Sequence, residues 1–160
     1  MRPRSSRSVL SAARIPPVAS FSHTVEIPRS PEEVFPWLLE EDKVPQWTSH
    51  LESYAALDGA LGTGSRVRQV LEVSGRRIDV ELEITEYDPP RGAETRFSTN
   101  GIEVVNAYAL EPSGGGTRLT QSVDAKPSGL TARMLVPVIQ PRLEEKLTQD
   151  LERLRVELSG

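Results

Sequence analysis

From Phe21 onward apolar and polar residues alternate. Phe21, His23, Val25 and Ile27 fall on one side and Ser22, Thr24 and Glu26 on the other, the two-residue period of a β-strand, which Pro28 ends. At Ser30-Pro31-Glu32-Glu33 the pattern becomes that of a helix start: a Ser that can cap, Pro at the first helical position, and Glu three residues after the Ser to close a capping box. Val34, Phe35, Leu38 and Leu39 supply the apolar face of a short helix to about Glu40. A second short helix is predicted around Val44 to His50, with Trp47 as its buried anchor.

A strand-rich stretch follows. Ser53 to Leu57 reads as a weak strand, and Gly59, Gly62 and Gly64 as a flexible connection. Arg66 to Val73 and Arg76 to Tyr87 are strands joined at Ser74-Gly75, and Asp88-Pro89-Pro90-Arg91-Gly92 is a turn. Glu94 to Thr99 and Ile102 to Glu111 flank Asn100-Gly101, the strongest short hairpin signal. Thr117 to Lys126 is the last strand. Leu143, Leu147, Leu151, Leu154 and Leu158 then share one face of a C-terminal helix, with Pro141 in its first turn. Glu144, Lys146, Gln149, Glu152, Arg153 and Glu157 cover the other face. The apolar segment Ser128 to Gln140, which contains Pro137, is either a kinked leading turn or a separate short helix.

This order predicts an α+β domain: one strand, two short helices, about six further antiparallel strands and a long amphipathic helix. A curved antiparallel sheet must bury its apolar face, and the leucine face is the obvious partner. One helix cannot fill the concavity of six or seven curled strands, so an interior cavity is expected between sheet and helix.

The hairpins fix which side chains face that interior. A two-residue Asn100-Gly101 loop pairs Thr99 with Ile102, Phe97 with Val104, Thr95 with Asn106 and Ala93 with Tyr108. A turn at Ser74-Gly75 pairs Leu71 with Ile78, Gln69 with Val80 and Val67 with Leu82. Both sets point inward, as do Leu119, Gln121 and Val123. Arg66, Arg68, Asp79, Glu81 and Glu83 face water. Polar residues on the inward faces are His23, Gln69, Thr95, Asn106, Tyr108 and Gln121; they bond to one another, or they meet water or a ligand.

Composition narrows the function classes. The chain has 160 residues, 37% hydrophobic and 26% charged, and one domain is expected over residues 21–160. Without cysteine there is no disulfide, thiolate metal site or cysteine nucleophile, and a cytoplasmic setting is expected. No apolar run approaches the ~18 residues that span a bilayer, although weak membrane contact is compatible with the sequence. The first twenty residues hold four Arg and no acid, so the net charge of −4 leaves −8 over the rest. Residues 1–20 are expected to be a disordered basic tail rather than a secretory signal. An acidic domain argues against nucleic acid as partner, and two His give little basis for a metal site. Neither metal nor cofactor is expected, and the chain is expected as a monomer or homodimer. His23 and Tyr108 are the candidates for proton transfer; no GxSxG or Walker sequence is present.

Several motifs, in order, resemble the SRPBCC superfamily, which includes START domains, the birch-pollen-allergen fold and polyketide cyclase/dehydrase-like proteins. They are Ser30-Pro31-Glu32-Glu33-Val34-Phe35, Pro45-Gln46-Trp47, Gly62-Thr63-Gly64, Tyr87-Asp88-Pro89-Pro90, Leu110-Glu111-Pro112, Gly115-Gly116-Thr117-Arg118-Leu119-Thr120 and the terminal leucine helix. The resemblance spans about Phe21 to Leu158. It implies a helix-grip fold, a curved sheet of six to seven strands around the C-terminal helix, with a hydrophobic ligand cavity. Combined with strand parity, it nominates as cavity residues Gln69, Leu71, Val80, Leu82, Thr95, Phe97, Val104, Asn106, Tyr108 and Gln121. Met134, Leu135 and Ile139 are added from the segment where the fold's mouth lies, and Leu130 to Ile139 is expected to act as a gate. Three functions follow: a non-catalytic binder of a small hydrophobic or amphipathic molecule, a polyketide cyclase, aromatase or dehydratase, and a protein-interaction module of the co-chaperone or ribosome-associated type. A closed cavity of about 300–1,000 Å³ marks the first, and a continuous exposed apolar patch the third.

Overall fold

A computed structural model describes residues 19–73 and 75–160. The basic segment assigned to a tail therefore lies, as far as residue 18, outside the described residues, as does Ser74 of the predicted turn. Strand β1 (Ala19–Ile27) starts two residues before the predicted Phe21. Two four-residue helices follow, α1 (Pro31–Val34) and α2 (Pro36–Leu39), then a 3-10 turn at Val44–Gln46. The sheet continues through β2 (Leu51–Ala56), β3 (Arg66–Val73), β4 (Arg76–Asp88), β5 (Gly92–Thr99), β6 (Ile102–Ser113) and β7 (Gly116–Pro127), and α3 (Leu130–Glu157) closes the chain. The seven strands form one antiparallel sheet in the order β1-β7-β6-β5-β4-β3-β2.

Local chemistry explains these elements. The Ser30 side chain accepts from the Glu33 N–H while the Glu33 carboxylate accepts from the Ser30 N–H, which is the capping box read from the sequence. The single helix expected to Glu40 is instead two, meeting at Phe35, because Pro36 has no N–H to continue the ladder. The expected second helix shrinks to the 3-10 turn that delivers Trp47 to the core, its indole N–H donating to the Trp37 carbonyl at 2.8 Å.

Asn100 and Gly101 take φ of 51° and 75°, the left-handed pair that a tight hairpin needs. The β5–β6 register is then the expected one, with Phe97 opposite Val104 and Thr95 opposite Asn106. Register shifts between Leu51 and Ser53 and between Ile84 and Glu86 bend the sheet so that it wraps α3. Where β7 begins, a Cβ on Gly116 would run into the Ile27 carbonyl oxygen. Gly116→Ala must push two strands apart, and a loss of about 1–3 kcal/mol is expected in urea unfolding.

The core has two main parts along α3. Leu151, Leu154 and Leu158 pack with Val25, Ile27, Ile84, Leu119, Val34 and Leu38 at one end. Ala132 and Val136 pack with Ile102, Val104 and Val123 at the other. The helix is continuous through Pro137 and Pro141, so Pro141 lies well inside it rather than in its first turn. Each proline removes one helical hydrogen bond, and Gly129 gives the N-terminus no side-chain cap. Amides in residues 130–140 are expected to exchange faster than those in 143–157, by an order of magnitude or more in hydrogen-exchange mass spectrometry.

Candidate functional site

A hollow of about 130 Å³ lies between the sheet, the α2–Trp47 segment and the middle of α3. Leu38, Leu39, Val44, Trp47 and Thr48 form one wall and Tyr54 another. β3 contributes Gln69 and Leu71, β4 contributes Leu82, and β5 contributes Thr95 and Phe97. Val104, Asn106 and Tyr108 come from β6, Gln121 and Val123 from β7. α3 closes the hollow with Leu143, Lys146, Leu147 and Asp150. The volume is below the range expected from the sequence, because Trp47, Tyr54, Phe97 and Tyr108 project into a concavity that α3 already occupies.

Nine of the nominated cavity residues meet here, and four do not. Val80 is buried but does not reach the hollow. Leu135 and Ile139 pack against the Ile102–Val123 end of the core, and Met134 is 67% exposed. The reason is helical phase. Ala132 and Val136 face the sheet, so Leu130, Met134 and Val138, at spacings of four, form an exposed apolar stripe on the opposite side.

The polar corner of the hollow is a small network. Gln121, 4% exposed, donates from Nε2 to Asn106 Oδ1 at 2.8 Å and to Tyr108 Oη at 3.4 Å. Its own carbonyl oxygen, Oε1, is buried without a partner. Burial pushes the Tyr108 phenol up to about 12, with the Asp150 charge a lesser influence in the same direction, so the hydroxyl stays protonated at neutral pH. Burial also raises Tyr54, whose hydroxyl donates to the Leu39 carbonyl at 2.8 Å.

Periodicity alone assigns Lys146 to the solvated face of α3. The structure corrects this: Lys146 is buried, as is Asp150. Lys146 Nζ lies 2.5 Å from Asp150 Oδ2, and Asp150 Oδ1 accepts from the Ser49 N–H at 3.0 Å. The spacing Leu143, Lys146, Leu147, Asp150, Leu151, Leu154 is that of a single helical face, and it is the signal in the sequence that could have found the pair. Lys146 also borders an outer, open cleft of about 390 Å³ between the β2–β3 edge and α3, lined by Ser49, His50, Glu72, Arg142 and Gln149 among others. Lys146 thus borders both cleft and hollow, and Asp150 the hollow alone.

The two proton-transfer candidates are separated. Tyr108 faces the hollow; His23 does not line it, and its Nε2 lies 3.1 Å from Glu152 Oε2 on α3. No acid neighbours His23 in the sequence; the helix supplies one. Arg155 and, to a smaller degree, His23 hold Glu152 below the usual carboxylate range. Among the described residues no three ligating side chains gather to hold a metal ion, and no helix is long and apolar enough to cross a membrane.

A long helix gripped by a seven-stranded curved sheet, with a hollow between them, defines a helix-grip protein. The chain belongs to the family described as polyketide cyclase / dehydrase and lipid transport, which it matches over residues 18–159, and so to the SRPBCC proteins. No curated protein matches the sequence. Among solved structures, TTHA0849 from Thermus thermophilus is similar at a TM-score of 0.73 and 17% identity, over 88% of this chain and 97% of that one. Ara h 8.0201 is similar at 0.70 and 16% identity, over 88% and 97%. The di-domain ARO/CYC StfQ from the steffimycin biosynthetic pathway is similar at 0.71 and 11% identity, over 88% of this chain and 50% of that one. At these identities the likeness is one of fold.

Proposed function

We propose that the protein binds a small hydrophobic or amphipathic molecule, lipid- or polyketide-like in character, between sheet and helix, and holds it without chemical turnover. The observation that carries this reading is the hollow of about 130 Å³ between sheet and helix, apolar over most of its wall. A cavity of roughly 150 Å³ in a protein core admits benzene, so a single ring fits with little adjustment. A longer guest requires α3 to yield, either at the gate over Leu130 to Ile139, weakened by Pro137, or at the Lys146 wall toward the outer cleft. Binding without turnover is supported by the fate of the two proton-transfer candidates: Tyr108 holds its proton and His23 lies outside the wall. The acidic net charge supports a partner other than nucleic acid.

Native mass spectrometry of the full chain as purified tests the reading. A small organic adduct that collisional activation removes is the expected result. A bare chain that also takes up nothing from a crude lipid extract would contradict it.

A second reading, a polyketide cyclase, aromatase or dehydratase, is favoured by the family description and the fold likeness to StfQ. Tyr108 would then donate its hydroxyl proton to a substrate carbonyl. Under that reading Tyr108→Phe abolishes turnover of a polyketide-like substrate and retains its binding.

A further inference from the structure

Gln121 Oε1 is an acceptor with nothing to accept from, on a side chain that is only 4% exposed and that lines the hollow. The two hydrogens of its amide are committed, to Asn106 Oδ1 and Tyr108 Oη; turned over, the side chain would still meet the Tyr108 hydroxyl, which can donate, but would set its carbonyl oxygen against Asn106 Oδ1 at the present 2.8 Å contact. A buried acceptor left bare is unfavourable, and a guest that supplies a donor removes that cost while a guest that supplies none retains it. Beside the Lys146–Asp150 pair, Phe97, Val104, Val123 and Leu147 give the hollow an apolar lining with room for a body about the size of one ring.

From this geometry we infer that Gln121 is the specificity-determining residue of the cavity, and that the ligand class is a compact apolar body, such as an aromatic ring, carrying one hydroxyl or N–H donor that it points at Gln121 Oε1. Asn106 and Tyr108 act as positioning residues that hold the amide in this orientation. The inference rests on the cavity-binding reading and adds the chemistry of the guest. It also separates the guest from a purely hydrocarbon one, which the same volume would otherwise accept.

Phenol and toluene are the probes, since they share a shape and differ in the donor. Dissociation constants are measured by NMR titration for the full chain and for Gln121→Met, which keeps the length of the side chain and removes the acceptor. The affinity ratio of phenol to toluene is expected to fall by about fivefold or more in the variant, the worth of one hydrogen bond to a neutral acceptor. In the unaltered protein the Gln121 side-chain amide resonances are expected to move on saturation with phenol by more than with toluene, a readout that stands even if Gln121→Met does not fold. Rings that both bind with the same ratio in the two proteins, or a Gln121 amide equally affected by both, would overturn the inference and leave cavity binding intact. Failure of either ring to bind up to its solubility would overturn cavity binding as well.

Discussion

Asp150→Ala is expected to be among the most damaging single substitutions in this protein, with a loss of about 3–5 kcal/mol in equilibrium unfolding. The change leaves the Lys146 ammonium without its partner at 2.5 Å at the wall of a largely apolar hollow, and the Ser49 N–H, beside the outer cleft, without its acceptor. Because Lys146 also borders the outer cleft, its head can turn toward water, which places the loss toward the lower end of that range. Lys146→Met should cost less, since Asp150 keeps the Ser49 N–H. The informative comparison is the double variant Lys146→Met with Asp150→Leu. Replacing both charges with apolar side chains of similar volume is expected to be neutral or stabilising by about 1–4 kcal/mol, because two desolvation penalties disappear with the pair. Urea unfolding of the three variants should therefore rank them Asp150→Ala, Lys146→Met and then the double variant, in increasing stability. A double variant as unstable as Asp150→Ala would show that the pair contributes structure that apolar packing cannot replace.

Leu151→Ala is expected to cost about 2–5 kcal/mol. Leu151 is fully buried in the cluster that ties α3 to Val25, Ile84 and Leu119, three strands of the sheet. Truncation removes contacts on several elements at once, and a curved sheet around a rigid helix has little freedom to collapse into the space, so a cavity term adds to the lost transfer free energy. Val156 provides the control. It lies on the same helix at 61% exposure, and Val156→Ala should change the unfolding free energy by no more than about 0.5 kcal/mol. Equal effects from the two substitutions would mean that the helix is not gripped where the packing places it.

The fold was legible in the sequence where a local rule dictated a backbone geometry. Asn100-Gly101 accepts the left-handed conformation, which sets the β5–β6 register and with it the inward parity of Thr95, Phe97, Val104, Asn106 and Tyr108. Ser30 and Glu33 mark a helix start for the same kind of reason. Pro137 and Pro141 mislead, because the helix continues through both: Arg133, Pro137 and Pro141 are exposed, so the carbonyls freed by the missing N–H groups lie on the solvent side, where water can satisfy them. Lys146 and Asp150 are hidden by their charge, although their spacing puts them within the leucine face. Met134 is misplaced for want of helical phase, since nothing local shows which side of Leu130 to Ile139 meets the sheet. The size of the hollow was not legible at all. It depends on how far the bulged strands curl and where four aromatic side chains point, and neither follows from periodicity.

Methyl NMR with toluene, in the presence of assigned leucine and valine resonances, tests most directly whether the space between sheet and helix accepts a guest. Saturable shifts are expected at Leu38, Leu71, Leu82, Val104, Val123 and Leu147, which border the hollow, with Val25 and Val34 in the adjoining solid core little changed. Shifts confined to exposed positions such as Leu57 and Val156, or no saturable response anywhere, would mean that no guest is taken up between sheet and helix.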